Sequence, residues 1–287
     1  MNNIEGSIVA KFGGTSVATK DTILTIVEIV RRSLTRRPVL VVSALSGITD
    51  ALLALSRVQK RLIKRNIRVI SEIHRTLIND LFSDREIGAE VINYVDEQLR
   101  KVEDVVRRGN LTPSDMDELV SFGEIISSYI IAQALQANGI NAEQVIASRV
   151  IVTDDNFMQA EFLPEETERN ARSILRPILQ RGIVPIITGF IGSTKDGQTT
   201  TLGRGGSDYS ASIIGYCLGA KEVQIWTDVN GIYTADPKTV LSAQLIPEIS
   251  YREASEMATF GARVLHPRTI KPAIQKNIPV RILNTFN

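Results

Sequence analysis

The sequence holds one cysteine, one tryptophan and two histidines among its 287 residues. A lone cysteine, Cys217, excludes an internal disulfide, which fits a reducing compartment. Its neighbours Gly215, Tyr216, Leu218 and Gly219 mark it as a buried structural thiol rather than a nucleophile. His74 and His266 are far apart and no zinc-ligand spacing is present. Charge of one sign is also missing in excess, with 33 Lys plus Arg against 32 Asp plus Glu. Nucleic-acid binders usually carry a basic surplus, so no nucleic-acid partner is expected. No apolar run reaches the roughly 20 residues of a membrane-spanning helix. The N-terminus, with Glu5 and Lys11, lacks an apolar signal segment. A soluble, cytoplasmic protein without a membrane partner is therefore expected.

The residues that are present follow an alternating pattern. Ser7 to Phe12 predicts a strand, broken by Gly13-Gly14. Thr19 then caps a predicted helix whose Ile23, Ile26, Val27, Val30 and Leu34 recur at helical spacing. Val39 to Val42 is a continuous apolar strand of the kind buried on both faces. This β-loop-α-β opening predicts an α/β protein with a parallel sheet and helical crossovers. Residues 50 to 138 read as almost all helix, with a start at Thr112-Pro113-Ser114-Asp115 and a stop at Asn138-Gly139. Ser121-Phe122-Gly123-Glu124 interrupts that region and leaves Glu124 near a helix start. Strands are expected at Glu143 to Ala147, Phe157 to Leu163, Ile183 to Thr188, Glu222 to Thr227 and Val280 to Leu283. Helices are expected from Pro164 to Gly182, Ser207 to Leu218, Tyr251 to Phe260 and Pro267 to Lys276, and Lys195-Asp196-Gly197 as a hairpin-type turn. A lobe division is placed near residue 180.

Three segments carry candidate chemistry. Lys11-Phe12-Gly13-Gly14-Thr15-Ser16 ends a strand and enters a helix. Its glycines let the backbone approach an anion, and Lys11 supplies a cation, but the Gly-Lys-Ser/Thr order of a Walker A loop is absent. Thr201-Leu202-Gly203-Arg204-Gly205-Gly206-Ser207-Asp208 opens a helix, with Ser207 or Asp208 as its cap and an arginine fork set among glycines. Trp226 to Lys238 is a polar loop beyond a buried strand, where open α/β sheets bind ligands. Ser43 to Thr49 leaves another strand at the same kind of end. No Ser-His-Asp order stands out. The residues alone point to a nucleotide- or anion-binding α/β protein, and phosphoryl transfer suits such parts because it depends on positioning and on cations.

Together the segments KFGGTS at Lys11, VSALSGIT ending at Thr49, FGE ending at Glu124, TTTLGRGGSD ending at Asp208, WTDVNGIYTADP from Trp226 and FGARVLHP from Phe260 resemble the aspartate kinase family of the amino-acid kinase superfamily. They occur in the family's order over nearly the whole chain. The resemblance implies a three-layer αβα sandwich around a largely parallel, about eight-stranded sheet. Residues 1–180 would form an amino-acid-binding lobe and residues 181–287 an ATP-binding lobe. It implies phosphorylation of the side-chain carboxylate of L-aspartate, the first step of lysine, threonine and methionine biosynthesis, with ATP and Mg²⁺. Lys11 and Asp208 would serve the transferring phosphoryl group. Thr49, Glu124, Arg204, Gly205, Gly206 and Ser207 would line the aspartate pocket, Arg204 on the α-carboxylate and Glu124 on the ammonium. Lys11, Gly13, Gly14, Ser16, Thr227, Asp228, Tyr233, Lys238 and Arg263 would surround ATP, with no dedicated protein ligands for the metal.

Two positions depart from the family pattern: it often has arginine where Lys238 stands and lysine where Arg263 stands. The resemblance also implies ACT-type regulatory domains or a fused enzyme, which nothing here encodes. A homodimer is allowed but not dictated. Two other readings stay open at this level. One is a sister enzyme acting on another carboxylate, such as acetylglutamate, and the other is a non-catalytic amino-acid or nucleotide sensor.

Overall fold

A computed structural model describes residues 6–235, 239–240, 242–259 and 267–286. In chain order the elements are β1 (Ile8–Phe12), α1 (Lys20–Ser33), β2 (Pro38–Val42), α2 (Ile48–Leu55), α3 (Ile63–Leu81), α4 (Arg85–Arg107), α5 (Pro113–Ala137), β3 (Ala142–Val145), α6 (Pro164–Gln180), β4 (Val184–Thr188), β5 (Ile191–Ser193), β6 (Thr199–Thr201), α7 (Gly206–Leu218), β7 (Glu222–Thr227), α8 (Tyr251–Thr259), α9 (Pro267–Gln275) and β8 (Val280–Asn284).

Six strands form one sheet in the order β3-β4-β2-β1-β7-β8, and every pairing in it is parallel. Period-2 alternation sorts its side chains to two layers. Ala10, Phe12, Leu40, Val42 and Ile186 face a core shared with α1 to α5. Val9, Val39, Val41, Ile187, Val223 and Ile225 face a second core shared with α6, α7 and α9. The result is the expected αβα sandwich. The strand count differs from the expected eight, because among the described residues β5 and β6 stand apart as an antiparallel hairpin. β4 lies between β3 and β2, so the chain beyond residue 180 inserts into the first half of the sheet.

Local signals explain the element ends. Thr19 caps α1 in a box with Thr22, and Thr112 caps α5 in a box with Asp115 beside Pro113. Three readings need correction. Phe157 to Leu163 is not a strand: Met158 takes a left-handed φ of 68°, and only Phe162 bridges, to Thr153. α5 runs unbroken through Gly123, which is kept because a Cβ there would lie 2.8 Å from the Ala44 Cβ. α5 is also long and apolar enough, by length and composition, to cross a membrane, yet 78% of its apolar stretch is buried inside the protein. Cys217 is buried as expected, and desolvation pushes its thiol up to about 12, far from nucleophilic use at neutral pH.

Candidate active site

The carboxyl ends of four strands stand level. Phe12 pairs with Val42 and Trp226, and Val42 pairs with Thr188. Strand order reverses about β1, with β2 on one side and β7 on the other, and such carboxyl-end crevices are where open α/β sheets take ligands. The loops leaving these ends are stitched together. Ser43 N–H donates to the Phe12 carbonyl (3.1 Å), Ser46 N–H to Gly14 (3.3 Å) and Gly189 N–H to Val42 (2.8 Å). A side chain at Gly14 would put a Cβ 2.9 Å from the Ala44 carbonyl oxygen, so the loops after β1 and β2 close only over glycine.

Between these loops and the start of α7 lies a cavity of about 350 Å³. Lys11, Gly14, Thr49 and Glu124 line it, and so do Gly205, Gly206, Ser207 and Asp208. Lys11 Nζ sits 2.7 Å from Asp208 Oδ1, with the two side chains 12% and 18% exposed. At this distance the ammonium and the carboxylate form a close, largely buried ion pair.

Two helix N-termini meet the same cavity. α2 starts after Gly47 and α7 after Gly205, both glycines left-handed and both helices without a side-chain cap. Ser207 and Asp208, expected as caps, instead lie inside the first turn of α7, because the helix begins one residue earlier behind a glycine. First-turn N–H groups are thus not taken by capping side chains, and the positive helix ends favour an anion.

Glu124 enters from the opposite wall. It sits mid-helix on α5, not at a helix start, and is 3% exposed. Its Oε2 has no hydrogen-bond partner. Burial pushes its carboxyl up to about 8, a rise that hydrogen bonding to the backbone at Ala44 only partly offsets. A buried carboxyl oxygen left open in a cavity is matched by a cationic ligand group. The site therefore offers the Lys11 ammonium and two positive helix ends to anions, and the buried Glu124 carboxylate to an ammonium.

Other expected residues lie elsewhere. Arg204 is exposed and does not line the cavity. Gly13 turns the chain beside it, its N–H reaching the Trp226 carbonyl at 3.4 Å. Ser16 is buried with its hydroxyl 2.8 Å from that of Thr285, which makes it a tie to the end of β8. Thr227 ends β7, and Asp228 and Tyr233 follow it. Thr227 Oγ1 donates to Asp228 (3.2 Å), and the Tyr233 hydroxyl accepts from Asn230 Nδ2 (3.4 Å). Lys238, Arg263 and His266 lie outside the described residues. Among the described residues no group of three His, Cys, Asp or Glu gathers to hold a metal.

Phe190 and Asp50 line the cavity without having been singled out in the sequence. Phe190 takes a φ of 68°, rare for a bulky side chain. Its N–H donates to Ser210 Oγ at 2.9 Å and its carbonyl accepts from Leu202 N–H at 2.9 Å. The signal was present: Gly189-Phe190 leaves the buried strand β4 at the same carboxyl end as the other loops.

Comparison with known proteins agrees with this geometry. Residues 6–284 match the amino acid kinase family. The chain is 40% identical over 274 residues to the lysine-sensitive aspartokinase 3 of Escherichia coli, covering 95% of this chain and 60% of that protein. It superposes on Escherichia coli aspartokinase III in complex with lysine and aspartate at a TM-score of 0.89, with 36% identity, covering 99% of this chain and 63% of that one. Against the same enzyme in complex with aspartate and ADP the TM-score is 0.86, with 37% identity and coverage of 98% and 62%. The chain thus spans about three fifths of the length of these relatives. Its parallel αβα sandwich, its carboxyl-end cavity and a sequence match over almost its whole length place the chain in the amino acid kinase family.

Proposed function

We propose that this chain transfers the γ-phosphoryl group of ATP to the side-chain carboxylate of L-aspartate, giving 4-phospho-L-aspartate and ADP. The observation that carries the reading is one cavity holding the Lys11–Asp208 pair, two uncapped helix N-termini and the open Glu124 carboxyl. The likeness to aspartokinase III in complex with aspartate and ADP supports the choice of substrates.

The chemistry asks little of the protein in proton transfer. A side-chain carboxylate of ordinary pKa, about 3.9, is already ionised at neutral pH and needs no general base. Its oxygen forms a bond to the γ-phosphorus, the bond from that phosphorus to the β,γ-bridging oxygen breaks, and ADP leaves with the electron pair. Lys11 stabilises charge on the phosphoryl oxygens and Asp208 orients Lys11. Glu124 takes the substrate ammonium, and Thr49, Gly205, Gly206 and Ser207 shape its pocket. Thr227, Asp228 and Tyr233 face the nucleotide beside Gly13 and Gly14, and the family resemblance adds Lys238 and Arg263 to the ATP contacts. In this division residues 1–180 serve mainly the amino acid and residues 181–287 mainly ATP. Mg²⁺, when bound with the nucleotide, screens phosphate charge.

Arg204 is assigned to the substrate α-carboxylate, swinging inward from its exposed position. Arg204→Ala is expected to raise the KM for aspartate about tenfold or more and to leave that for ATP nearly unchanged, and Arg204→Lys is expected to rescue it poorly. Steady-state kinetics with each substrate varied in turn checks this, and equal effects on both would move Arg204 to the phosphates. The assignment of substrate is tested by ADP release from MgATP against a panel of acids. Release that depends on L-aspartate is expected. A folded protein that releases ADP with another acid but not with aspartate would overturn it.

A further inference from the structure

A fully buried carboxylate outside the cavity connects its two walls. Asp117 lies on α5 seven residues before Glu124, two turns along the same side of the helix. Its Oδ2 accepts the backbone N–H of Thr201 (3.0 Å) and of Met158 (2.8 Å), and its Oδ1 accepts the Thr201 hydroxyl (2.6 Å). Thr201 ends β6, and the next residues, Leu202 to Asp208, carry Gly203, Gly205, Gly206, Ser207 and Asp208 to the cavity. Met158 supports the same segment from below. A Cβ on Gly203 would stand 3.1 Å from the Met158 carbonyl oxygen, so Gly203 rests directly on it.

We infer that Asp117 is a positioning residue, which sets the distance between Glu124 on α5 and the Leu202–Ser207 segment by holding Thr201, which leads into that segment, and Met158, on which Gly203 rests. The role given to that distance rests on the aspartate reading above. The alternative, a carboxylate that merely stabilises the fold, makes a different prediction about which change restores function. Both N–H donors share one oxygen, and the other oxygen meets only a hydroxyl, which can turn and accept. Asparagine therefore satisfies the whole arrangement, its carbonyl taking the two N–H groups and its amide donating to Thr201 Oγ1. The negative charge is dispensable and the geometry is not. Alanine leaves three donors without that acceptor, two of them on the buried Thr201.

The test compares Asp117→Ala, Asp117→Asn and wild type in two measurements. The first is hydrogen exchange of the amides of Met158 and residues 201–208 in protein without ligand, which does not depend on the identity of the substrate. Faster exchange confined to these amides is expected for Ala, with wild-type rates for Asn. The second is kinetics, where Ala is expected to raise the aspartate KM about ten- to hundredfold and the ATP KM by less than about threefold, with Asn near wild type. If Asp117→Ala does not fold, Thr201→Val, which removes one donor, is expected to shift both readouts in the same direction by less. A variant that melts earlier but keeps wild-type exchange at residues 201–208 and a wild-type aspartate KM would overturn the inference. If wild type itself does not turn over aspartate, the exchange arm alone decides, and unchanged exchange overturns the positioning role.

Discussion

Lys11→Ala is expected to lower kcat about 10²–10³-fold while changing the KM for ATP by less than about tenfold. Lys11 is the penultimate residue of β1, just before the loop tightens over Gly14, and its side chain lines the cavity only 12% exposed. A cation held there in advance meets charge that develops on the phosphoryl group in transit, so its loss falls on the transition state more than on the bound nucleotide. Asp208 is the lever on this effect. Its carboxylate, 2.7 Å away, holds Lys11 in place, and an ammonium has three donors, so others can turn toward phosphate. Asp208→Asn should therefore cost less than Lys11→Ala. Single-turnover rates at saturating MgATP and aspartate give the comparison. An alanine variant with near wild-type kcat would reduce the pair to a structural contact.

Aspartate binding should be tied to proton release through Glu124. In the empty site burial raises this carboxyl to about 8, so the neutral form is favoured at pH 7. The substrate ammonium pairs with the ionised form, so only the ionised fraction binds well. The KM for aspartate is expected to fall by up to about tenfold per unit as pH rises from 6 toward 8, then to level off. Calorimetry at pH 7 in buffers of different ionisation enthalpy should report release of most of one proton per aspartate bound. Glu124→Gln is expected to bind aspartate weakly with a flat pH profile. The same group links stability to pH with a definite sign. Its folded pKa lies above the ordinary value of 4.5, so the stability associated with the neutral form is full below about pH 4.5. That stability is lost as pH rises toward and through about 8, an effect on the order of a few kcal/mol. Glutamine keeps the neutral form throughout, so the melting temperature of Glu124→Gln relative to wild type should climb with pH in the absence of ligand. A wild-type protein whose aspartate KM is flat from pH 6 to 8 would remove Glu124 from the ammonium.

Much of the scaffold was legible because the relevant signals are local. Thr19 and Thr112 carry their capping partners three residues away, and the apolar runs of β2 and β4 need no tertiary information to be read as buried strands. The readings that failed depend on contacts between distant segments. Gly123 looked like a break in a helix, but its missing Cβ is where α5 meets Ala44. The segment from Phe157 to Leu163 has strand-like residues, but Asp117 from α5 holds Met158 in a turn. The glycines of the segment before α7 marked a close approach correctly, whereas the direction of Arg204 was beyond the reach of spacing, since a long side chain at a loop has several places to go. Glu124 was found only through its place in a family motif. In isolation a single carboxylate after a glycine says nothing of burial, and burial is what gives this one its chemistry.

The central claim is that the side-chain carboxylate of L-aspartate becomes an acyl phosphate, and trapping that product tests it most directly. Protein incubated with MgATP, L-aspartate and hydroxylamine should yield aspartate β-hydroxamate, identified by mass spectrometry against the α-isomer, in amounts matching the ADP formed and absent without ATP. The α-hydroxamate, or a hydroxamate formed from another acid while aspartate gives none, would contradict the account.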